Sequence, residues 1–376
     1  MVSIQLIYIV FVFSRTAFHR LTLPDAASSV PSEGVTIVVC AHNEFDNLTQ
    51  LVPLLAQQQH PLFEVLIMDD RSTDETKNWL PGLETAYPNV HSIRIDKDYA
   101  HISPKKYALT IALKKAIFPT VLLTDADCRP ASDGWLAGME ASLTQSGKAI
   151  VLGVSLYEKR AGFLNFLIQA ETLFTAVQYL SLALAGRPYM GVGRNLMYRR
   201  QTFFDNKGFY THKHVLGGDD DLFINEVATP TNTAVSLDPA TFTTSIPKET
   251  WPDWRHQKRR HLSVGHQYKT GHKIRLGLLM GSQVLTWLLG LIAGGYVLYA
   301  ALFGPAQLLN PLVLIATALF ILRWLLFWLV VARISNRLGT TVRWYAIPFM
   351  DVVLASYYAI MGVTTLLTRR RKIYWR

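Results

Sequence analysis

The sequence predicts an α/β fold: a mostly parallel sheet with helices between its strands, continued by apolar helices at the C-terminal end. Three observations carry this expectation. From Val35 to Val154 short β-rich runs alternate with helical patterns, the order expected of a parallel sheet. Two clusters of aspartate follow directly on two of those runs, and beyond Leu276 long apolar stretches take over.

The elements follow in order. Val2–Phe13 is almost wholly apolar but short for a span, so 1–14 reads as an N-terminal anchor or the remnant of a longer span. It lacks the basic start and small-residue cleavage site of a signal peptide. Val35–Ala41 is a run of the kind buried in parallel sheets, and 44–57 is a helix. Phe63–Met68 is a second strand, ending in Asp69-Asp70. A helix near 73–80, a strand at Val90–Ile95 and a helix at 104–117 come next. Thr120–Thr124 is a strand ending in Asp125-Ala126-Asp127, and Ala149–Val154 is a further one. Over 161–185 an apolar stretch carries Asn165, Gln169, Thr172, Thr175, Gln178 and Ser181 at helical spacing. That polar stripe suits a helix lying in a membrane interface.

The apolar C-terminal part contains three candidate spans, 277–303, 311–332 and 345–367, and a basic tail, 368–376. At ~1.5 Å per residue the first run can cross a ~30 Å hydrocarbon layer. The second is interrupted by Arg323, the third by Pro348 and Asp351. An ionisable residue in a span is a functional-site candidate. The net charge of +10 sits mainly here, because beyond Leu276 nine Lys or Arg face the single acid Asp351. Positive flanks of membrane spans explain that pattern, so a nucleic-acid partner is not expected. Three full spans would place the basic tail opposite a cytoplasmic body, against the positive-inside tendency, which favours an interfacial or re-entrant course for 345–367. Only 17% of residues are charged, and the two cysteines, Cys40 and Cys128, exclude a disulfide scaffold or cysteine-built zinc site.

The chemistry is concentrated in two motifs. Asp69-Asp70-Arg71-Ser72-Thr73-Asp74 has the form D-D-x-S-x-D, and Asp125-Ala126-Asp127 the form D-x-D. Both stand just past strand ends, the edge where open α/β sheets bind ligands. A diphosphate leaving group calls for a hard cation held by oxygen ligands, and D-x-D offers two carboxylates on one turn.

With these residues in place, the chain resembles the family 2 glycosyltransferases of GT-A fold, an inverting, nucleotide-sugar-dependent group. Further segments match in order: Val35–Glu44, ending Ala-His-Asn-Glu; Pro104-Lys105-Lys106-Tyr107-Ala108-Leu109, similar to K-x-x-A-L; Gly191-Val192-Gly193-Arg194-Asn195; Gly217-Gly218-Asp219-Asp220-Asp221-Leu222; and Gln257-Lys258-Arg259-Arg260-His261, similar to Q-x-x-R-W. The resemblance covers 33–275. It implies donor binding by Glu44, Asp69, Asp70, Lys105 and Asp125, with Asp69 and Asp70 on the uracil or ribose side. It implies a divalent metal, Mg2+ or Mn2+, held by Asp127 with help from Asp125. Arg194, Asn195, Gln257, Arg260 and His261 fall on the acceptor and diphosphate side. The catalytic base falls on Asp219, with Asp220 the competitor. Two departures stand out: Gly218 where glutamate is common, and His261 where tryptophan is usual.

The function this implies is transfer of a sugar from a nucleotide-diphosphate sugar, a UDP-sugar in first place, to a lipid-linked or membrane-proximal glycan acceptor. The expected setting is a bacterial inner membrane, with several spans, membrane-lipid contacts and the catalytic domain cytoplasmic. A processive polysaccharide synthase is one alternative. A catalytically inactive, membrane-anchored binding subunit is another, against which the intact Asp70, Asp125, Asp127 and Asp219 weigh.

Overall fold

A computed structural model describes residues 1–20, 33–97, 101–304 and 310–367. These fall into two compact units, one drawn from Arg20–Asn165 and Leu182–Tyr268, the other from Met1–His19, Phe166–Ser181 and Lys269–Lys372.

The first unit is built on β-branched runs that hydrogen-bond into one sheet. Its strands are β1 (Val35–Ala41), β2 (Phe63–Asp70), β3 (Val90–Ile95), β4 (Thr120–Asp125), β6 (Ile150–Leu152), β8 (Leu196–Arg199) and β9 (Thr233–Val235), in the order β3-β2-β1-β4-β8-β6-β9. The four strands from β3 to β4 are parallel, and β8 is antiparallel to both β4 and β6. Val35, Ile37 and Val39 share the core with Leu48, Leu51 and Leu55 of the helix Phe45–Ala56 and with Trp135, Leu136 and Met139 of the helix Trp135–Ser146. Buried side chains alternate along a strand, so one face meets these helices while the other meets the helix Pro104–Lys115, which packs on β1 and β2. A small second sheet joins β5 (Cys128–Pro130), β10 (Thr243–Ser245) and β7 (Ser155–Tyr157).

Register decides where the chemistry falls. Cys40 of β1 stands opposite Asp125 of β4, and Ala41 opposite Asp69 of β2. Parallel pairing therefore brings the carboxyl ends of β1, β2 and β4 to one edge. The sheet is mostly parallel, as the sequence predicts, with the short antiparallel β8 inserted between β4 and β6.

The second unit is helical. Phe163–Leu184, Thr270–Phe303, Pro311–Arg337 and Trp344–Gly362 are each long and apolar enough to cross a membrane, and a shorter apolar helix covers Val2–Ala17. The third apolar segment forms one unbroken helix, Ile347–Leu367. Pro348 stands in its first turn, where no intrahelical N–H is lost. Asp351 is fully buried against Arg323, whose NH2 is 3.2 Å from Oδ1 while NH1 bonds Oδ2. Gln283 (2.8 Å) and Trp287 (3.0 Å) also donate to Asp351, and Arg323 NH2 donates to Gln5 Oε1 at 2.7 Å. Arg323 is thus neutralised within the helices, which removes the reason to read it as a ligand site.

The 161–185 helix corrects an expectation. An interfacial helix would turn its apolar face outward, yet Leu167 is 6% and Phe174 1% exposed. Phe174 meets the rings of Phe13, Phe327 and Tyr358, and Ser181 bonds Thr16 at 2.8 Å. Its central residues are interior to the helical unit on both faces. The basic tail, 368–376, lies outside the described residues.

Candidate active site

The site is assembled at the carboxyl edge of β1, β2 and β4. Asp125 is the last residue of β4, and Lys105 stands in the first turn of the helix Pro104–Lys115. The Lys105 ammonium lies 2.8 Å from Asp125 Oδ1 and 3.1 Å from Asp219 Oδ2. One lysine thereby joins the D-x-D turn to the Gly217–Leu222 segment. Lys105, Asp125 and Asp219 line a small hollow with Cys40, Thr124 and Gly193.

The three neighbouring aspartates have different partners. Burial would raise Asp219, but the Lys105 ammonium overrides it and holds that carboxyl below its ordinary range. Asp220 accepts from the Gly193 N–H (2.6 Å) through Oδ2 and from the Asp221 N–H (2.7 Å) through Oδ1, capping the helix Asp221–Val227. Burial and the adjacent Asp219 charge raise it. Asp221 accepts from the Tyr268 hydroxyl at 2.9 Å. Of the three, Asp219 is the one held ionised beside Lys105, while Asp220 is committed to backbone.

Gly217 and Gly218 have φ of +85° and +73°. A Cβ at Gly218 would stand 2.7 Å from Leu222 Cγ. The glutamate common at this place in the resembling family does not fit here, which accounts for the first departure.

Asp127 is raised by burial and then by the Asp125 charge. Glu44 is raised by burial as well, with Asp127 and Asp125 adding to the effect and Asn47 opposing it. Glu44 also accepts from Asn47 Nδ2 at 2.6 Å. Among the described residues no group of three or more His, Cys, Asp or Glu side chains is set to hold a metal. The pair Asp125 and Asp127 nevertheless offers hard oxygen donors whose mutual repulsion a divalent cation would relieve, so the residues present fit such an ion.

Arg194 lies 4.3 Å from the centroid of the Tyr157 ring, and the Tyr157 hydroxyl accepts from Gln257 at 3.3 Å. Buried Arg194 Nη1 has no hydrogen-bond partner among the described residues. Arg260 runs its stem past Gly217, and His261 is exposed on the same helix, Trp251–Gly265.

Two candidates fall elsewhere. Asn195 is fully buried, accepting from Trp135 Nε1 (3.1 Å) and donating to the carbonyls of Val154 and Thr241 (both 2.8 Å). All of its amide is spent on framework, so it does not face an acceptor. Asp69 is 1% exposed, paired with Arg94 and accepting from the Ser72 N–H at 3.0 Å. It shapes the loop after β2, while Asp70, bonded to Arg71 at 2.8 Å, ends the strand.

Sequence reasoning missed Tyr157 and gave Lys106 no role. Tyr157 lies in a three-residue strand with no motif around it. Lys106 stands beside Lys105 at the helix start, where a solvated position is one alternative the sequence leaves open. The structure buries it completely, its ammonium donating to the carbonyls of His212 (2.7 Å) and Val215 (3.0 Å). Burial pushes its pKa down to about 8.

A mostly parallel sheet with acidic residues at its carboxyl edge, extended by a short second sheet, is the GT-A architecture, the fold of a glycosyltransferase. Residues 36–205 match the family model described as Glycosyl transferase family 2. No curated protein matches the chain. Among solved structures, the mannosyltransferase PcManGT from Pyrobaculum calidifontis, in complex with GDP-Man and Mn2+, is similar at TM-score 0.59 and 17% identity over 98% of this chain and 96% of that one. S. aureus TarS 1-349 in complex with UDP-GlcNAc aligns more loosely, at TM-score 0.43 and 16% identity over 90% of this chain and 93% of that one.

Proposed function

We propose that the chain is an inverting glycosyltransferase that moves a sugar from a nucleotide-diphosphate sugar to a hydroxyl of a membrane-proximal acceptor. The observation that carries this reading is the placement of Lys105 between Asp125 and Asp219 at the carboxyl edge of the sheet. In this reading the acceptor oxygen attacks the anomeric carbon, Asp219 takes its proton, and the bond to the diphosphate breaks with its electron pair leaving on the nucleotide. Attack from the face opposite the leaving group inverts the anomeric centre.

Lys105 then has two roles. It keeps Asp219 ionised before transfer, and it offers positive charge where the diphosphate gains negative charge. Asp125 and Asp127 would hold a divalent cation, which when bound supplies charge neutralisation to the diphosphate. The Mn2+ and GDP-mannose of the Pyrobaculum structure support this class of donor and metal. Asp70 faces the nucleoside side, and Arg194, with Tyr157 beneath it and Gln257 beyond, faces the acceptor side. Four helices able to cross a membrane support an acceptor that stays at the bilayer.

The test is a donor screen on the full-length protein in detergent, following release of UDP, GDP or dTDP with membrane lipid as acceptor. Release of one nucleotide dependent on added lipid supports the reading. Failure of every donor, with or without lipid, overturns it.

A further inference from the structure

Lys106 has no part in the chemistry above, yet its position is costly. A buried ammonium is tolerated only where its protons are taken. Methionine, of similar length, would fill the same space without that cost, so packing alone does not account for a lysine. Its two partners are backbone carbonyls of one short segment, those of His212 and Val215, and the Phe209 ring lies 5.9 Å away. A second tie runs alongside: the Ser103 N–H donates to the Lys213 carbonyl at 2.8 Å. The turn that presents Lys105 to the site therefore also grips residues 212–215.

From there the chain passes through Gly217 and Gly218, both at positive φ, straight into Asp219. Two glycines in succession restrain the backbone little. What aims Asp219 must come from the anchors on either side: the helix capped by Asp220 after it, and the Lys106 clamp before it.

We propose that Lys106 is a positioning residue that holds segment 212–218 so that Asp219 meets both Lys105 and the acceptor hydroxyl. This rests on the proposed function for its kinetic consequence, though not for its structural one. The geometry gives one helix turn two adjacent lysines with divided work, Lys105 on the carboxylates and Lys106 on the loop that delivers one of them.

The test uses the full-length protein in detergent with two variants. Lys106→Met removes the clamp while keeping volume. Ser103→Pro removes the N–H to Lys213 and leaves Lys106 in place, at a position whose φ of −61° and ψ of 137° suit proline. For Lys106→Met we expect kcat to fall about 100-fold, the scale of a misplaced catalytic group, with nucleotide affinity little changed. Ser103→Pro should lower kcat in the same direction and less. Amide hydrogen exchange should quicken across 212–219 in both variants and stay unchanged in Val35–Ala41. Unchanged kcat in Lys106→Met, or a loss of nucleotide affinity together with faster exchange throughout the sheet, overturns the proposal. If Lys106→Met fails to fold, Ser103→Pro decides: faster exchange in 212–219 with unchanged kcat overturns it, and lowered kcat supports it. If the wild-type protein turns over no donor, the functional reading fails, and the exchange result alone still decides whether Lys106 clamps the loop.

Discussion

Lys105 Nζ stands 2.8 Å from Asp125 and 3.1 Å from Asp219, a single cation shared by two carboxylates that come from distant parts of the chain. Burial alone would raise Asp219; Lys105 reverses that. Removing the ammonium by Lys105→Met leaves burial without its main opponent, so the Asp219 carboxyl rises. A base must be ionised to act, and the acid limb of the kcat/KM profile should therefore move to higher pH in the variant. Turnover on the plateau should fall about 10²–10³-fold for loss of a charge aimed at the leaving diphosphate. A profile whose acid limb stays where the wild-type limb lies would separate Lys105 from Asp219.

The commitments of Asp219 and Asp220 predict different kinds of damage. Asp219→Asn should abolish transfer and spare nucleotide binding, because a base acts on the acceptor. Asp220→Asn leaves only one carbonyl oxygen for the two N–H groups of Gly193 and Asp221. It should cost about 1–3 kcal/mol of local stability and a smaller share of turnover. Thermal melting and single-turnover transfer on both variants distinguish the two, and the reverse ranking would make Asp220 the base.

Much of this site was legible in the sequence, because strand ends and carboxylates are both local signals. β2 and β4 are largely apolar runs that end in Asp69-Asp70 and Asp125. What was not legible depends on direction or on distant partners. Asn195 sits in a segment that matches by pattern, but whether its amide turns outward or into the Trp135 framework is set by the fold. Asp69 differs from Asp70 in its partners, Arg94 and the Ser72 N–H against Arg71. The helix Trp135–Ser146 escaped notice because Gly138 weakens its pattern; that glycine is needed where a Cβ would come 2.5 Å from Thr241 Cγ2. β8, four residues long with Arg199 at its end, is a strand because β4 and β6 flank it. The inward-facing 161–185 helix was misjudged because a polar stripe pairs as well with other helices as with water.

The repulsion among Glu44, Asp125 and Asp127 predicts a requirement for a divalent cation. Asp127→Asn should reduce turnover at least ~100-fold, roughly 2.7 kcal/mol of transition-state stabilisation. Full activity in excess EDTA would refute it.

Gly218 tests the turn that leads into Asp219. A side chain there must adopt φ near +73° and press on Leu222. Gly218→Ala should cost about 1–3 kcal/mol and loosen the Asp219 turn. Exchange of the Asp219–Leu222 amides should rise even if the overall melting temperature hardly moves. An alanine variant with wild-type exchange and turnover would mean that the glycine pair is not structurally required.

Arg323 and Asp351 make the sharpest test of the helical unit. Both side chains are 0% exposed, and both lie in apolar helices where no water can solvate a lone charge. Removing one partner leaves the other buried and unpaired, which costs about 3–5 kcal/mol in a buried pair. Replacing both by apolar residues of similar volume removes the stranded charge and can come close to neutral. Arg323→Met and Asp351→Leu should each lower the detergent melting temperature sharply, and the double variant should recover most of the loss. The double variant will not recover all of it, because Gln5, Gln283 and Trp287 also bond to this pair and would be left without those partners. If the two single losses simply add in the double variant, the two residues do not act as a pair, and the helices are held by packing around Phe174 and Phe327 instead.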